Sequence, residues 1–359
     1  MPALPPAARV ATTNSAANAK AVVAYWTPQR MASAKSADVG VSARTQTHPV
    51  NAGISATGAP GLAGGIDENG VATPSRTGAS ALAVRPSSTP TVSPADGSYP
   101  GPNATYNWPG ALTAFPAGAV GKLFFTEPSG NFVCSAAATY GGGTKSMVWT
   151  AGHCVGPQGG KSYYNNWLFC PGYNNGENKS RGCWSWALAQ QNGGWYFNGY
   201  FADDYAYLYM QPTGDIKAKQ VVGVTGGLGF AWNWGRDEFW NDFGYPSASP
   251  YNGAHMVVTD AEHRYDVNNP VSGDPTPDNS IGSSQTPGFS GGPWVLSFGP
   301  KNAADPLGHG NWINSDNSYY FTSGGPGGGN EYGVEIQGPY YDTNACNFWK
   351  LGSGWTGTC

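Results

Sequence analysis

Two short stretches of sequence decide the fold: Val148-Trp-Thr-Ala-Gly-His153-Cys154 and, further along the chain, Thr286-Pro-Gly-Phe-Ser290-Gly-Gly-Pro-Trp294. The first stretch places an imidazole in a turn of small residues. The second surrounds a serine with glycines, which allow backbone N–H groups to be directed at a developing oxyanion. Because a serine hydroxyl is a weak nucleophile unless an imidazole takes its proton, the two stretches together predict one catalytic site.

An acidic residue between these stretches completes the set that such chemistry needs. In Phe201-Ala-Asp203-Asp204-Tyr-Ala-Tyr-Leu208 an aspartate enters an apolar, strand-like run. A buried carboxylate of this kind can fix the tautomer of a histidine and stabilise its protonated form. Either Asp203 or Asp204 could have this role.

The composition of the 359-residue chain excludes several classes of protein. Charged residues make up 11% of it, against a usual ~25%, which argues against long charged helices and coiled coils. The net charge of -4 gives no basic footprint for nucleic acid or an anionic membrane. No apolar run approaches the ~20 residues of a membrane span. Abundant glycine and aromatic residues favour an all-β protein of short strands and tight turns.

The chain divides into two unlike pieces. Residues 1–100 contain no Cys or Phe and a single Trp, too few large apolar groups to offset the entropy of ordering a core. We expect 1–105 to be a low-complexity leader, mostly extended or disordered, and interpret it as a propeptide. A docking segment is predicted near 21–35, with Thr27 as N-cap and Pro28 opening a short helix. The same segment could instead be an apolar patch in a linker.

Residues 106–359 have the length of one large all-β domain. Short apolar runs between Gly, Asn and Pro clusters predict strands at 121–126, 146–150, 205–209, 221–224, 255–259 and 293–297. Only the end of the chain, at 338–350, has a helical pattern.

All six cysteines lie in this second piece. No C-x-x-C pair is present, so a structural zinc site is not expected. The even number predicts three disulfides and an oxidising compartment, although six cysteines allow 15 pairings. Pairing of sequence neighbours would join Cys134 to Cys154, Cys170 to Cys183, and Cys346 to Cys359. We expect a secreted protein whose signal peptide is not part of this chain, since its start has no apolar stretch of that type.

Thr-Ala-Gly-His-Cys and Gly-x-Ser-Gly-Gly-Pro, in this order, resemble the chymotrypsin-fold serine proteases over residues 115–350. The resemblance implies two antiparallel six-stranded β-barrels with a C-terminal helix, preceded by the pro-region. It implies a catalytic triad of His153, Asp204 and Ser290, in the family's order, and needs no metal or cofactor. It assigns the oxyanion hole to the N–H groups of Gly288 and Ser290.

Two further features follow from this resemblance. A disulfide between Cys134 and Cys154 would pin the histidine turn. Phe289 stands where the digestive enzymes have an aspartate that pairs with a new N-terminus, so activation by that ion pair is not expected. In this respect the chain is more similar to the bacterial secreted branch of the family, which includes the glutamyl endopeptidases.

The resemblance also implies where the substrate side chain is received. The pocket floor is expected at Ser284, six residues before the nucleophile, and without a carboxylate there a preference for Lys or Arg is not expected. The opposite wall fits Gly308-His309-Gly-Asn-Trp312-Ile-Asn314-Ser315, where Ser315 is expected to contact the triad aspartate. His309 would favour a Glu or Asp side chain, and a polar or apolar pocket based on Ser284 is the alternative.

The sequence thus predicts a secreted serine endopeptidase made as a zymogen. Its expected partners are protein or peptide substrates and its own propeptide, with no nucleic acid and no membrane, and we expect a monomer. One alternative is a catalytically silent homologue that serves as an extracellular binding module. Another is a serine esterase, because Gly288-Phe-Ser290-Gly-Gly292 also fits the G-x-S-x-G motif of α/β-hydrolases, although the required order Ser, acid, His is not found.

Overall fold

The computed structural model describes residues 11–42, 49–50, 58–73, 76–77, 103–176, 181–212, 219–268, 270–271, 273–274, 276–299, 310–325 and 330–359. Its helices are α1 (Ala16–Tyr25), α2 (Pro28–Ala32), α3 (Gly193–Asn198), α4 (Val222–Thr225) and α5 (Thr343–Ser353). Short 3-10 helices cover Ala117–Ala119, Gly152–Cys154 and Phe201–Asp203. No helix within the described ranges is long and apolar enough to cross a membrane.

The strands begin in the leader and continue to the C-terminal helix. In chain order they are β1 (Ala11–Thr13), β2 (Lys35–Ser36), β3 (Val39–Ser42), β4 (Pro49–Val50), β5 (Gly61–Ala63), β6 (Arg76–Thr77), β7 (Asn103–Asn107), β8 (Val120–Glu127), β9 (Gly130–Ala138), β10 (Met147–Thr150), β11 (Asn165–Pro171), β12 (Trp184–Gln191), β13 (Ala206–Met210), β14 (Gly229–Trp232), β15 (Phe239–Gly244), β16 (Val257–Val267), β17 (Asp278–Gly282), β18 (Pro293–Leu296), β19 (Trp312–Asp316), β20 (Tyr319–Ser323) and β21 (Glu335–Gly338).

Six strands close into the first barrel. Their order is β12-β11-β8-β9-β10-β13, and β13 pairs back to β12. Register places Thr150 at the end of β10 opposite Ala206 at the start of β13. The loop that follows β10 and the loop that precedes β13 therefore leave the barrel side by side, and these loops carry His153 and Asp204.

The second sheet runs in the order β3-β20-β21-β17-β16-β15-β18-β19-β14-β5-β6, with β4 and β7 also paired to β16. Ser290 lies in the turn between β17 and β18. Antiparallel pairs dominate both sheets, and α5 follows the last strand. This architecture confirms the all-β, two-barrel prediction. It excludes the α/β-hydrolase alternative, which needs a mostly parallel sheet covered by helices on both faces.

The described leader residues are more ordered than their composition predicts. Thr27 does cap α2, its hydroxyl accepting from Arg30 N–H, with Pro28 in the first turn. However, Val22, Trp26 and other leader side chains are buried against the first barrel. The leader gains its order by adding strands to the edges of both sheets and apolar groups to the core of the barrels, so it needs no core of its own. Its last strand, β7, crosses the predicted boundary at residue 105.

One predicted strand is wrong. The run 221–224 is not extended: Val221 is the N-cap of helix α4, and Gly226 is its C-cap, with φ 71°. The other five predicted strands overlap β8, β10, β13, β16 and β18, and the predicted helical end overlaps α5.

Three disulfides tie the second piece together. They join cysteines that are neighbours in sequence, which is one of the 15 pairings that the sequence allows: Cys134–Cys154, Cys170–Cys183 and Cys346–Cys359. The first links β9 to the turn after β10. The third ties α5 to the end of the chain. Helix α5 in turn packs Trp349 on Phe230 with ring centroids 5.0 Å apart, which anchors it to β14.

Candidate active site

His153 is held in the short helix after β10 by a carboxylate that contacts it twice. Its backbone N–H donates to Asp204 Oδ1 at 2.8 Å, and its Nδ1 lies 2.7 Å from Asp204 Oδ2. Both residues are buried. This geometry fits the tautomer in which Nδ1 carries the proton and Nε2 is free to accept one.

A second buried group supports the same carboxylate. The Ser318 hydroxyl donates to Asp204 Oδ2 at 2.6 Å. Burial alone lowers the pKa of His153, but the charge and hydrogen bond of Asp204 outweigh it, so the pKa lies above its ordinary value of 6.5. The carboxylate is thus arranged to stabilise an imidazolium.

Asp203, the alternative acid, has other partners. Its Oδ1 accepts from the Tyr205 hydroxyl at 2.9 Å and from Asn344 Nδ2 at 2.7 Å. These contacts join the aspartate to the start of α5. The structure therefore brings Asp204, and not Asp203, to His153.

The turn that carries Ser290 needs its glycines. Gly288 has φ 112° and Gly291 has φ 74°, values that favour glycine. A Cβ on Gly292 would lie 1.9 Å from the Phe243 carbonyl oxygen. The turn is tied to the first barrel because Ser135 N–H donates to the Ser290 carbonyl at 2.7 Å. The serine is thereby presented at the junction between the barrels.

Nε2 of His153 and Oγ of Ser290 are both buried, and neither has a hydrogen-bond partner among the residues that the structure describes. These are the two atoms between which a proton must move in the predicted chemistry. A catalytic hydrogen bond is often long in the absence of substrate and tightens when the substrate binds.

The N–H groups of Gly288 and Ser290 converge on one leader side chain. Ser290 N–H donates to Asp38 Oδ1 at 3.0 Å, and Gly288 N–H donates to Asp38 Oδ2. The pair can therefore hold negative oxygen, as an oxyanion hole must. No sequence motif marks Asp38; it is one of four acidic residues in the first 100.

Asn317 is a further residue that sequence reasoning missed. Its carbonyl accepts from Gly291 N–H at 2.8 Å, and its Nδ2 donates to Asp242 Oδ1 at 2.6 Å. Gln285 Nε2 donates to the other oxygen of Asp242 at 2.8 Å. This buried network clamps the nucleophile turn from behind.

The predicted pocket residues separate. Ser284 is exposed beside β7, with its N–H donating to Thr105 Oγ1 at 3.2 Å. Asn314 is buried, its Oδ1 accepting from Trp240 Nε1 at 3.0 Å, and the Ser315 hydroxyl donates to the Pro339 carbonyl at 2.9 Å. Ser315 therefore does not contact Asp204; Ser318 holds that place, three residues later.

His309 lies outside the described residues, and so does the rest of 300–309. No sequence motif marks Ser318, which lies three residues after the position that the resemblance assigned to this contact.

Within the described ranges, one group of three possible metal ligands comes together. Its atoms, from Cys134, His153 and Cys154, lie within 4.8 Å of one another. The two sulfurs form a disulfide, and the metal-binding form of cysteine is the thiolate. This group is therefore a histidine beside its pinning disulfide and does not fit a metal ion.

Two solved structures that are similar to this chain are described as a serine protease and a protease. The thermostable serine protease AL20 from an extremophilic microorganism is 29% identical to this chain, with a TM-score of 0.54. The match covers 67% of this chain and 99% of the AL20 chain. Protease Anisep from Arthrobacter nicotinovorans is 28% identical to this chain, with a TM-score of 0.54. The match covers 70% of this chain and 100% of the Anisep chain.

A Glu endopeptidase in complex with MPD is also among the similar structures, at 12% identity and a TM-score of 0.47, with 70% of this chain and 96% of that chain covered. No protein-family model and no curated protein matches the sequence. With its closed barrel, second sheet and C-terminal helix, the chain has the chymotrypsin-like two-barrel fold, and its structural similarity is to serine proteases.

Proposed function

We propose that this protein is a secreted serine endopeptidase made as a proenzyme. The observation that carries the proposal is the double contact of Asp204 with His153 beside the turn of Ser290, whose N–H pair already holds a carboxylate. These groups supply an orienting acid, a base, a nucleophile and an oxyanion site in one buried cluster.

The reaction proceeds in two halves. Ser290 Oγ attacks the carbonyl carbon of the scissile bond while His153 Nε2 takes its proton, and the N–H groups of Gly288 and Ser290 stabilise the oxyanion. His153 then gives the proton to the leaving amine as the C–N bond breaks. Water, deprotonated by His153, attacks the carbonyl carbon of the acyl-enzyme. The ester C–O bond breaks, the carboxyl product leaves, and His153 returns the proton to Ser290 Oγ. Asp204 stabilises the imidazolium in both halves.

The site favours a substrate side chain other than Lys or Arg. Ser284, at the expected pocket floor, carries no charge. Asp242, buried behind the nucleophile turn, has its two carboxylate oxygens engaged by Asn317 and Gln285. Neither residue therefore offers a free carboxylate to a cationic side chain.

The three disulfides support an oxidising, extracellular setting. AL20 and Anisep are matched over almost their whole length by about two thirds of this chain. We take residues 1–105 to be a propeptide that is removed. We take the active enzyme to be a monomer that binds protein or peptide substrates without a metal or cofactor.

Cleavage-site profiling on a mixed peptide library tests this function. The chain freed of its leader should cut the library, and Ser290→Ala should lower kcat/KM by about 10⁴-fold or more while leaving thermal unfolding unchanged. Ser129→Ala is the matched control, because that hydroxyl donates to Glu127 on an exposed turn.

Two results would overturn the proposal. Full activity in the Ser290→Ala variant would show that Ser290 is not the nucleophile. A folded, leader-free wild type that cuts nothing in the library would favour the silent binding module.

A further inference from the structure

The leader crosses the active site and is fixed on both sides of it. Before Asp38, β2 pairs in parallel with β9 of the first barrel, Lys35 opposite Phe132. After it, β3 pairs in parallel with β20 of the second sheet, Val39 opposite Tyr319. Asp38 is therefore suspended between two anchored strands at the junction of the barrels.

The carboxylate of Asp38 is held at the oxyanion site by both of its oxygens. Oδ1 accepts from Ser290 N–H at 3.0 Å and Oδ2 accepts from Gly288 N–H. Charged acceptors make the stronger class of hydrogen bond, and this one engages both donors. The side chain is partly buried there.

The same two donors are needed for catalysis. A scissile carbonyl oxygen must sit within about 2.7–3.1 Å of them to be stabilised as an oxyanion, and the Asp38 oxygens occupy that place. Strand β3 also pairs along one edge of β20, the strand that begins one residue after Ser318. An extended peptide that adds a strand to a sheet edge needs the edge to be free.

We propose that Asp38 is an autoinhibitory residue: its carboxylate fills the oxyanion hole, and the enzyme stays silent until the segment Lys35–Ser42 leaves the site. This proposal rests on the proposed function. It goes beyond a propeptide that merely covers the domain, because it assigns the block to one side chain on two named N–H groups.

The block responds to pH. Burial raises the pKa of Asp38 from 3.8 to about 6, partly offset by the nearby Ser290 hydroxyl, the charge of His153 and the two N–H groups. A group with a higher pKa in the docked state takes up a proton on docking, so docking weakens as pH rises from about 4 to about 6.

Among the described residues, two other titratable groups face Asp38. Their titration either weakens docking of the leader as pH rises, as Asp38 does, or has no effect on docking between pH about 4 and about 6. Asp38 adds to the raised pKa of His153, so docking also favours the imidazolium, which rising pH removes. Burial, followed by the charge of Asp38, raises the pKa of Tyr320, which keeps that phenol neutral. Rising pH therefore loosens the leader.

The test uses the full 359-residue chain and a small phosphonofluoridate that reacts with an activated serine. The labelling rate is read by intact mass at pH ~8, on the alkaline side of the ordinary imidazole pKa, and only the unprocessed species is scored. Asp38→Ala is compared with wild type. Asp67→Ala is the matched control, since that leader carboxylate serves a local turn, accepting from Asn69 and Val71 N–H.

Asp38→Ala should label about tenfold faster or more than wild type, and Asp67→Ala should match wild type. Equal rates in wild type and Asp38→Ala, with both labelled, overturn the inhibition and leave the proposed function standing. If Ser290 is labelled neither in Asp38→Ala nor after removal of the leader, the proposed function fails and the inhibition with it. Should Asp38→Ala fail to fold, Asp38→Asn, which keeps the size of the side chain and a neutral acceptor, should label at an intermediate rate.

Discussion

Asp203 and Asp204 are adjacent in sequence, yet they serve different parts of the molecule. Asp204 binds the backbone and the ring of His153, whereas Asp203 binds Tyr205 and Asn344. Burial raises the pKa of Asp203 to about 7, partly offset by the Tyr205 hydroxyl. A carboxyl whose charged form is disfavoured by burial suits a structural contact with α5 better than the support of an imidazolium.

Substitution separates these two roles. Asp204→Asn should lower kcat/KM by about 10⁴-fold, because an amide cannot hold the required tautomer. Asp203→Asn should cost less than about tenfold in kcat/KM and act mainly on stability, since its contacts are to Tyr205 and to Asn344 of α5. Steady-state kinetics on a peptide substrate measures both, and a larger loss of kcat/KM in Asp203→Asn would reverse the assignment.

The raised pKa of His153 fixes the sign of the pH dependence. The imidazole is a base only when neutral, so activity is lost as pH falls through its pKa, which lies above 6.5 in the intact chain. Because Asp38 contributes to that elevation, Asp38→Ala should move the acid limb of the Ser290 labelling rate to lower pH. The rate measured from pH ~5 to ~9 checks this, and an acid limb at or below 6.5 in the intact wild type would contradict it.

The three triad residues could be predicted because each lies in a short sequence motif whose small residues fit the local backbone. They are His153, Asp204 and Ser290. Ser318 and Asp38 could not be predicted. Ser318 lies beyond a segment whose length the motif does not fix. Asp38 reaches the site only because β2 and β3 pair with different sheets, and such pairing at long range leaves no local mark in the sequence.

The nucleophile turn is an element in which backbone conformation and activity are tied together. A Cβ on Gly291 would lie 2.1 Å from Thr150 Oγ1 and 2.6 Å from the Ser135 carbonyl oxygen, at a φ of 74°. Gly291→Ala should therefore destabilise the fold by about 1–3 kcal/mol. Because the shifted turn also moves Ser290, kcat/KM should fall by about 100-fold or more.

Chemical denaturation and peptide kinetics measure the two effects of Gly291→Ala. Gly223→Ala, in α4, is the matched control because nothing lies within 4 Å of its added Cβ. This control should be neutral or slightly stabilising. If both variants behave alike, the turn does not need its glycine.

Helix α4 shows why a local pattern misleads. Its valines favour a strand by β-propensity, and the sequence alone predicts one at 221–224. The structure instead makes a single helical turn there: Thr225 N–H donates to the Val221 carbonyl at 3.0 Å, and Gly226 ends the turn. Burial of Val221 and Val222 satisfies the apolar pattern without extending the chain.

At the scale of the whole molecule, the leader is built into both barrels. It adds β1 and β2 to the first barrel and β3, β5 and other strands to the second sheet. Composition correctly indicates that this piece lacks a core of its own, but it cannot reveal that the core of a neighbour will order it. The two-barrel fold of the rest is predictable because its motifs, cysteines and strand spacing agree with one another.

The central claim is that Ser290 is a nucleophile activated by His153. The most direct measurement is the site of phosphonofluoridate attachment in the leader-free protein at pH ~8, mapped by peptide mass spectrometry beside the His153→Ala variant. The account predicts a single adduct, on Ser290, that is absent in the variant. A folded wild type with no adduct, or with its adduct on another serine, would contradict it.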